Sequence, residues 1–219
     1  MITFEEIKNN EHIKTYIKKA DESLIALGYT EHSFAHVTKV SEMAKEILLE
    51  LGYSKREAEL AQIAGYLHDI GNVINRVDHA QSGAVMAFRI LDKLGAEPEE
   101  IATIIAAIGN HDEKTAVAVN PVAAALILAD KTDVRRSRVR NSDLATFDIH
   151  DRVNYAVEDS STKISKDKKS IILNLKINTE ISSVMDYFEI FLDRMLLCRK
   201  AAEKLNLKFK LIINNQILL

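Results

Sequence analysis

The sequence carries one histidine–aspartate pair where chemistry can be built, in Tyr66-Leu67-His68-Asp69-Ile70-Gly71-Asn72 at the end of an apolar run from Ala58 to Leu67. Adjacent residues on a regular helix point ~100° apart. Where a glycine stops the helix, both side chains can turn toward one ion. Taken alone, the pair would be a helix end followed by a polar surface dipeptide. Three further histidines and one aspartate change that balance, because His36, His79, His111 and Asp130 also fall at the ends or faces of expected helices. Neutral imidazoles and carboxylates without a thiolate suit iron, manganese, zinc or nickel.

The elements that must position these residues follow from apolar spacing and helix punctuation. Residues 4–27 read as one helix closed by Gly28. The next begins at Thr30 or Ser33 and runs to about Glu50, with Phe34, Val37, Val40, Met43, Ala44, Ile47 and Leu48 as its stripe and His36 beside it. A third helix, Lys55–His68, is capped by Ser54. After a polar loop comes a helix from His79 to Leu94, closed by Gly95. Pro98 then opens a helix reaching Gly109, at the first turn where its missing N–H costs nothing. Asn120 and Pro121 open an apolar helix from Val122 to about Val134, interrupted by Asp130. Each candidate ligand therefore lies at the end of an apolar helix, just beyond one, or beside its stripe. A bundle converging on one polar pocket accounts for that.

Composition shifts near residue 135. All seven glycines fall at or before Gly109, and Arg135, Arg136, Arg138 and Arg140 form a basic cluster. Residues 147–159 read as a helix or helix–strand junction, and 161–177 as a hairpin around Lys166–Ser170. Thr179 caps a helix through about Leu205, and Leu207–Leu219 alternates like a strand. The expected fold class is mainly α, a helical bundle over residues 1–140 with a small α+β appendage over 141–219. In the appendage, Val184, Phe188, Phe191 and Met195 are expected to cover one sheet face. Three strands leave two edges, which invite pairing with another chain, and Ile217, Leu218 and Leu219 add apolar surface. A homodimer formed partly through this region is expected.

The 219 residues allow one generous domain, or one domain with an appendage; 47% are hydrophobic, 28% are charged and the formal net charge is −3. That balance gives no reason to expect a nucleic-acid or anionic-membrane partner. A single cysteine, Cys198, can form no internal disulfide and reads as a small core residue, which fits a reducing cytoplasm. The first ten residues form no leader-like apolar segment, and no stretch approaches the ~20 apolar residues of a membrane span.

The ordered set His36, His68-Asp69, His79, His111 and Asp130 resembles that of the HD-domain metal-dependent phosphohydrolases. The resemblance is carried by Ala35-His36-Val37, Leu67-His68-Asp69-Ile70-Gly71, His79-Ala80-Gln81-Ser82-Gly83-Ala84, Ile108-Gly109-Asn110-His111 and Leu128-Ala129-Asp130-Lys131. It covers roughly residues 20–140. Within the superfamily the spacing is similar to the HD-GYP-like, di-metal group, and most like the bacterial symmetrical diadenosine tetraphosphatases. The Gly-Tyr-Pro motif of HD-GYP relatives is absent, and their paired histidine is replaced by Asn110-His111, which weighs against cyclic dinucleotides. Where relatives carry a phosphate-binding lysine after His-Asp-Ile-Gly, this chain has Asn72; Arg76 can take that part.

The resemblance implies a site of two divalent or trivalent transition-metal ions, iron or manganese first, with zinc, nickel or magnesium as alternatives. A carboxylate can bridge two ions and an imidazole cannot, so Asp69 is the natural bridge. His36, His68 and Asp130 complete one ion, and His79 with His111 the other. Two ions ~3.5–4 Å apart can hold a bridging hydroxide and polarise a phosphoryl group, with His68 and Asp69 at the catalytic centre. Lys131, Arg135 and Arg136, with Arg76, suit a phosphorylated small-molecule substrate, expected to be a nucleotide. Hydrolysis of its phosphate ester or anhydride is the expected activity. The alternative is a non-catalytic signalling module that binds metal and nucleotide and uses the appendage for interaction.

Overall fold

The computed structural model describes residues 1–113 and 115–218, and the chain divides into two compact units, Met1–Asp130 and Lys131–Leu219. The architecture is mainly α, with a small sheet near the C-terminus. Leu219, counted above as part of the apolar tail, lies outside the described residues. Among the described residues no helix is long and apolar enough to cross a membrane.

The first unit contains α1 (Phe4–Asn9), α2 (Glu11–Ala26), α3 (Phe34–Leu51), α4 (Lys55–Leu67), α5 (His79–Lys93), α6 (Pro98–Gly109) and α7 (Pro121–Lys131), with a short 3-10 turn, Ile70–Val73, after α4. The expected single helix over 4–27 is two helices. Asn10 turns extended and its side chain accepts from the backbone N–H of His12 and Ile13, so a new helix starts there. Ser33, not Thr30, caps α3. The sixth expected helix ends at Lys131 rather than Val134.

Small residues set how closely these helices approach. α3 packs along α4. A Cβ on Gly65 would stand 2.8 Å from the Ser41 Cα, so only glycine allows that crossing. His36 precedes Ser41 on α3 and His68 follows Gly65 at the end of α4, so the same crossing draws the two imidazoles together, their ring centroids 5.3 Å apart. Gly71, expected to stop the helix, stands beyond the end of α4, which falls at Leu67. It lies in the 3-10 turn, flush against the start of α5: an added Cβ would run into the His79 carbonyl oxygen and the Gly83 backbone nitrogen. Gly83 in turn faces the His68 carbonyl oxygen. This interlock seats the first turn of α5, and with it His79, beside the His-Asp pair.

The second unit begins with 3-10 turns at Arg136–Arg138 and Leu144–Thr146, followed by α8 (Ile149–Ala156), β1 (Val157–Ile164), β2 (Ser170–Ile177), α9 (Val184–Lys204), β3 (Lys208–Ile213) and β4 (Gln216–Ile217). The sheet order is β1-β2-β3-β4. β1 and β2 form the expected hairpin, β2 and β3 pair in parallel with Leu173 opposite Leu211, and β4 pairs antiparallel with β3. The expected third strand is thus two strands. Asn214 and Asn215 both take positive φ (49° and 67°), which the tight turn between right-twisted strands requires. Ser183 rather than Thr179 caps α9. Its buried face is Tyr187, Phe191, Met195 and Cys198, while Val184 and Phe188 are only half-buried, which corrects the expected cover by rotating it about the helix. Cys198 is buried and takes part in no disulfide.

Candidate metal centre

Three of the histidines are oriented by a bond from Nδ1 to the carbonyl three residues earlier, two of them at helix C-termini. Helix ends leave carbonyls without an intrahelical partner. His68, directly after α4, donates from Nδ1 to the Gly65 carbonyl at 2.7 Å; His111, just beyond α6, donates to the Ile108 carbonyl at 2.6 Å. His79, at the first position of α5, donates to the Arg76 carbonyl at 3.1 Å. With the proton fixed on Nδ1, each Nε2 carries the lone pair, which is the form that binds a metal.

The Nε2 atoms point into one buried pocket. His36, His68, His79 and His111 are at most 2% exposed, Asp69 is 5% exposed and Asp130 9%. Asp69 lies between two groups of nitrogens. Its Oδ2 is 3.3 Å from His68 Nε2 and 3.7 Å from His36 Nε2, and its Oδ1 is 3.5 Å from His79 Nε2. Asp130 Oδ1 stands 3.4 Å from His36 Nε2 and 3.8 Å from His68 Nε2. The Nε2 atoms of His79 and His111 are 3.2 Å apart. Two atoms bound side by side to one ion at ~2.0–2.1 Å lie ~3.0–3.4 Å apart, so most of these separations already approach those of shared coordination. His36, His68 and Asp130 form one close set, and ligand atoms of His68, Asp69 and His111 form another.

The donor set fits a metal on a second ground. His68 Nε2 is fully buried and has no hydrogen-bond partner among the described residues, a costly state for a polar atom unless it ligates something. Electrostatics agree. Burial works against ionising Asp69, but the neighbouring His68 imidazole, with His32 and His79, holds its carboxyl well below the usual carboxylate range. Burial lowers His68, and the charges of Asp69 and Asp130 outweigh it, so its imidazole titrates above the ordinary value. A proton and a metal compete for that nitrogen. Metal affinity should therefore fall by about tenfold per pH unit below the raised His68 value and level off above it. Asp69 stays ionised throughout that range. Binding isotherms for Mn²⁺ between pH 5 and 8 check this, and a flat affinity would contradict it.

Asn72, which replaces an expected lysine, is buried and directs Asp69: its Nδ2 donates to the Asp69 Oδ1 and carbonyl, both at 2.9 Å. Sequence reading missed that role, although an amide three residues past an aspartate at a helix end is the signal for it. Arg76 lies at the pocket, with Nη1 3.2 Å from His79 Nε2 and 3.4 Å from Asn72 Oδ1 and its guanidinium over the Tyr29 ring at 5.6 Å. His32 is half-buried against His36, ring centroids 5.5 Å apart, and Nδ1 donates to the Thr30 carbonyl.

The remaining basic candidates belong to the second unit, and within it they are engaged. Lys131 is buried. Arg135 pairs with Asp133 at 3.0 Å and donates to Ser137 at 2.7 Å, and Arg138 donates to the Asp133 carbonyl. Arg136 donates to the Tyr155 carbonyl and stacks on its ring at 4.5 Å. His150, which precedes Asp151 in sequence, is exposed on α8 and lies 3.9 Å from Asp148.

Residues 33–135 match the family profile described as the HD domain, a span running from the cap of α3 past the end of α7 that contains all six candidate ligands. An uncharacterized protein of Methanocaldococcus jannaschii is 24% identical over 200 residues, covering 81% of this chain and 76% of that protein. Among solved structures, a protein described as a predicted HD superfamily hydrolase, from an uncultured Thermotogales bacterium, is 27% identical; the alignment covers 62% of this chain and 75% of that one, with a TM-score of 0.44.

Proposed function

We propose that this chain, which carries an HD domain over residues 33–135, is a metal-dependent phosphohydrolase acting on a phosphate ester or anhydride of a nucleotide. The observation that carries the reading is the position of Asp69, whose two carboxylate oxygens face two separate sets of imidazoles in one buried pocket. Divalent ions held there supply Lewis acidity toward a phosphoryl oxygen and a water of lowered pKa. The chain's own part is to hold charge and geometry. His36, His68, Asp69 and Asp130 form one ligand set and Asp69, His79 and His111 the other; the Nδ1–carbonyl bonds fix the imidazoles so that none must reorganise during reaction. Arg76 offers a planar fork to a phosphate beside them. Within the nucleotides, symmetrical dinucleoside polyphosphates of the diadenosine tetraphosphate type are the class we favour, on the resemblance of the ligand spacing.

The test is protein purified without chelator, analysed for metal, and assayed for phosphate release from a nucleotide panel with manganese, iron or cobalt added. Release that a chelator abolishes and metal restores is expected. Metal and nucleotide bound, with no release from any substrate, would establish the signalling-module reading instead.

We also assign Lys131, Arg135 and Arg136 to the substrate phosphates rather than to the metal. Changing Arg135 and Arg136 together to alanine should lower kcat/KM by roughly a hundredfold or more, as for two lost charge-assisted hydrogen bonds, with metal content unchanged. Loss of metal, or unaltered kinetics, would refute the assignment. The homodimer remains part of the proposal. The sheet's edges are β1 and the two-residue β4, and Ile217 on β4, 70% exposed, adds apolar surface at that edge. Light scattering on the full chain should give twice 24.6 kDa; a monomer at tens of micromolar would overturn it.

A further inference from the structure

We infer that Arg76 and the second ion compete for one lone pair, that of His79 Nε2, so that filling the second position requires the guanidinium to let go. The inference rests on the metal reading above and adds a switch to it. His79 donates from Nδ1 to the Arg76 carbonyl, so Nε2 has a single lone pair and no proton. Arg76 Nη1, which can only donate, approaches that nitrogen at 3.2 Å. His111 is fixed in the same tautomer by the Ile108 carbonyl, and its Nε2 faces that of His79 at 3.2 Å. Two acceptors that close repel each other unless they share a cation, and a guanidinium on one of them is the protein's own way of relieving that contact. An ion bound by His79 and His111 would need the same orbital. The two arrangements therefore exclude each other, whereas the first set, His36, His68 and Asp130, makes no hydrogen bond to Arg76 that would oppose its ion. Arg76 is held ready to move: it is half-buried, rests on the exposed Tyr29 ring at 5.6 Å, and its other pocket bond, to Asn72, is long at 3.4 Å. Once released, its fork is available to an anionic ligand.

The experiment is a Mn²⁺ titration of the full-length, metal-stripped protein by calorimetry, with bound metal counted independently, for wild type, Arg76→Ala and Arg76→Met. Methionine keeps apolar contact with Tyr29, so that a folding defect in the alanine variant cannot decide the result. Wild type should show a tight and a weaker step. Both variants should tighten the weaker step by about tenfold, the worth of one charge-assisted hydrogen bond, and leave the tight step unchanged. A weaker step that is unaltered or further weakened in the methionine variant overturns the inference, as does binding of a single ion in every variant. The titration reads metal alone. A protein that binds two ions but releases no phosphate would sink the hydrolase proposal while the Arg76 comparison still decides this one.

Discussion

Replacing Asp69 with alanine is expected to remove bound metal and activity together, with kcat/KM falling by ~10³-fold or more, equivalent to ~4 kcal/mol of transition-state stabilisation. The reason is geometric. The separate oxygens of Asp69 approach both sets of imidazoles, Oδ2 toward His68 and His36 and Oδ1 toward His79. Without it, four buried imidazoles must gather cations with one buried carboxylate fewer to offset the charge. Asp69→Asn is the informative companion. It keeps the volume, and its amide oxygen can still accept from Asn72, but the charge and one of the two donor oxygens are gone. Both variants should keep the far-ultraviolet circular dichroism of the parent, because Asn72 retains its second bond to the residue 69 carbonyl. Retention of two metals per chain in either variant would remove Asp69 from the bridging role.

The second large effect is expected at a residue with no chemistry of its own. Gly71→Ala places a methyl group against the His79 carbonyl, the Gly83 nitrogen and the Ser82 hydroxyl. Two of these are backbone, so the relief must come from α5 moving away. Overpacking of a rigid site costs ~1–3 kcal/mol and occasionally more, and this contact belongs at the upper end. Calorimetry should register a Tm lowered by ~6–12 °C, using ~2–4 °C per kcal/mol for a chain of this size. The second metal-binding step should weaken, because His79 travels with α5. Gly109→Ala is the control. There the added Cβ meets only the Ala84 methyl at 3.6 Å, an ordinary contact, and an alanine in a helix should stabilise by a few tenths to ~1 kcal/mol. Equal and small effects at the two glycines would contradict the interlock.

These two glycines mark the boundary of what the sequence can say. Gly109 at the end of an apolar helix and Pro98 at its start are local signals, and the observed α6, Pro98–Gly109, has those bounds. The six candidate residues stood out because imidazoles and carboxylates recur at the ends and faces of apolar helices, and the structure brings the six side chains together in one buried pocket. The packing roles of Gly65 and Gly71 were not legible, since what excludes a side chain is another helix, at Ser41 for Gly65 and at His79 and Gly83 for Gly71. Asn72 read as a missing lysine because a departure from a resemblance shows what is lost, not which carboxylate a new amide will hold. The rotation of α9 has a different cause. Tyr187 and Phe188, Phe191 and Leu192, and Met195 and Leu196 offer two apolar faces of similar strength, and only packing against β2 and β3 selects Tyr187, Phe191 and Met195. The parallel pairing of β2 with β3 needs a crossover through α9, a non-local fact that strand periodicity does not encode.

The central claim is that Asp69 bridges two ions in one buried pocket, and it can be read directly. Crystals of the full chain grown without chelator and soaked in a saturating manganese salt should give two anomalous difference peaks. One should lie among His36, His68 and Asp130 and the other between His79 and His111, each within coordination distance of a different Asp69 oxygen. An absence of peaks in the pocket at saturating manganese, or peaks that leave Asp69 uncoordinated, would contradict the account.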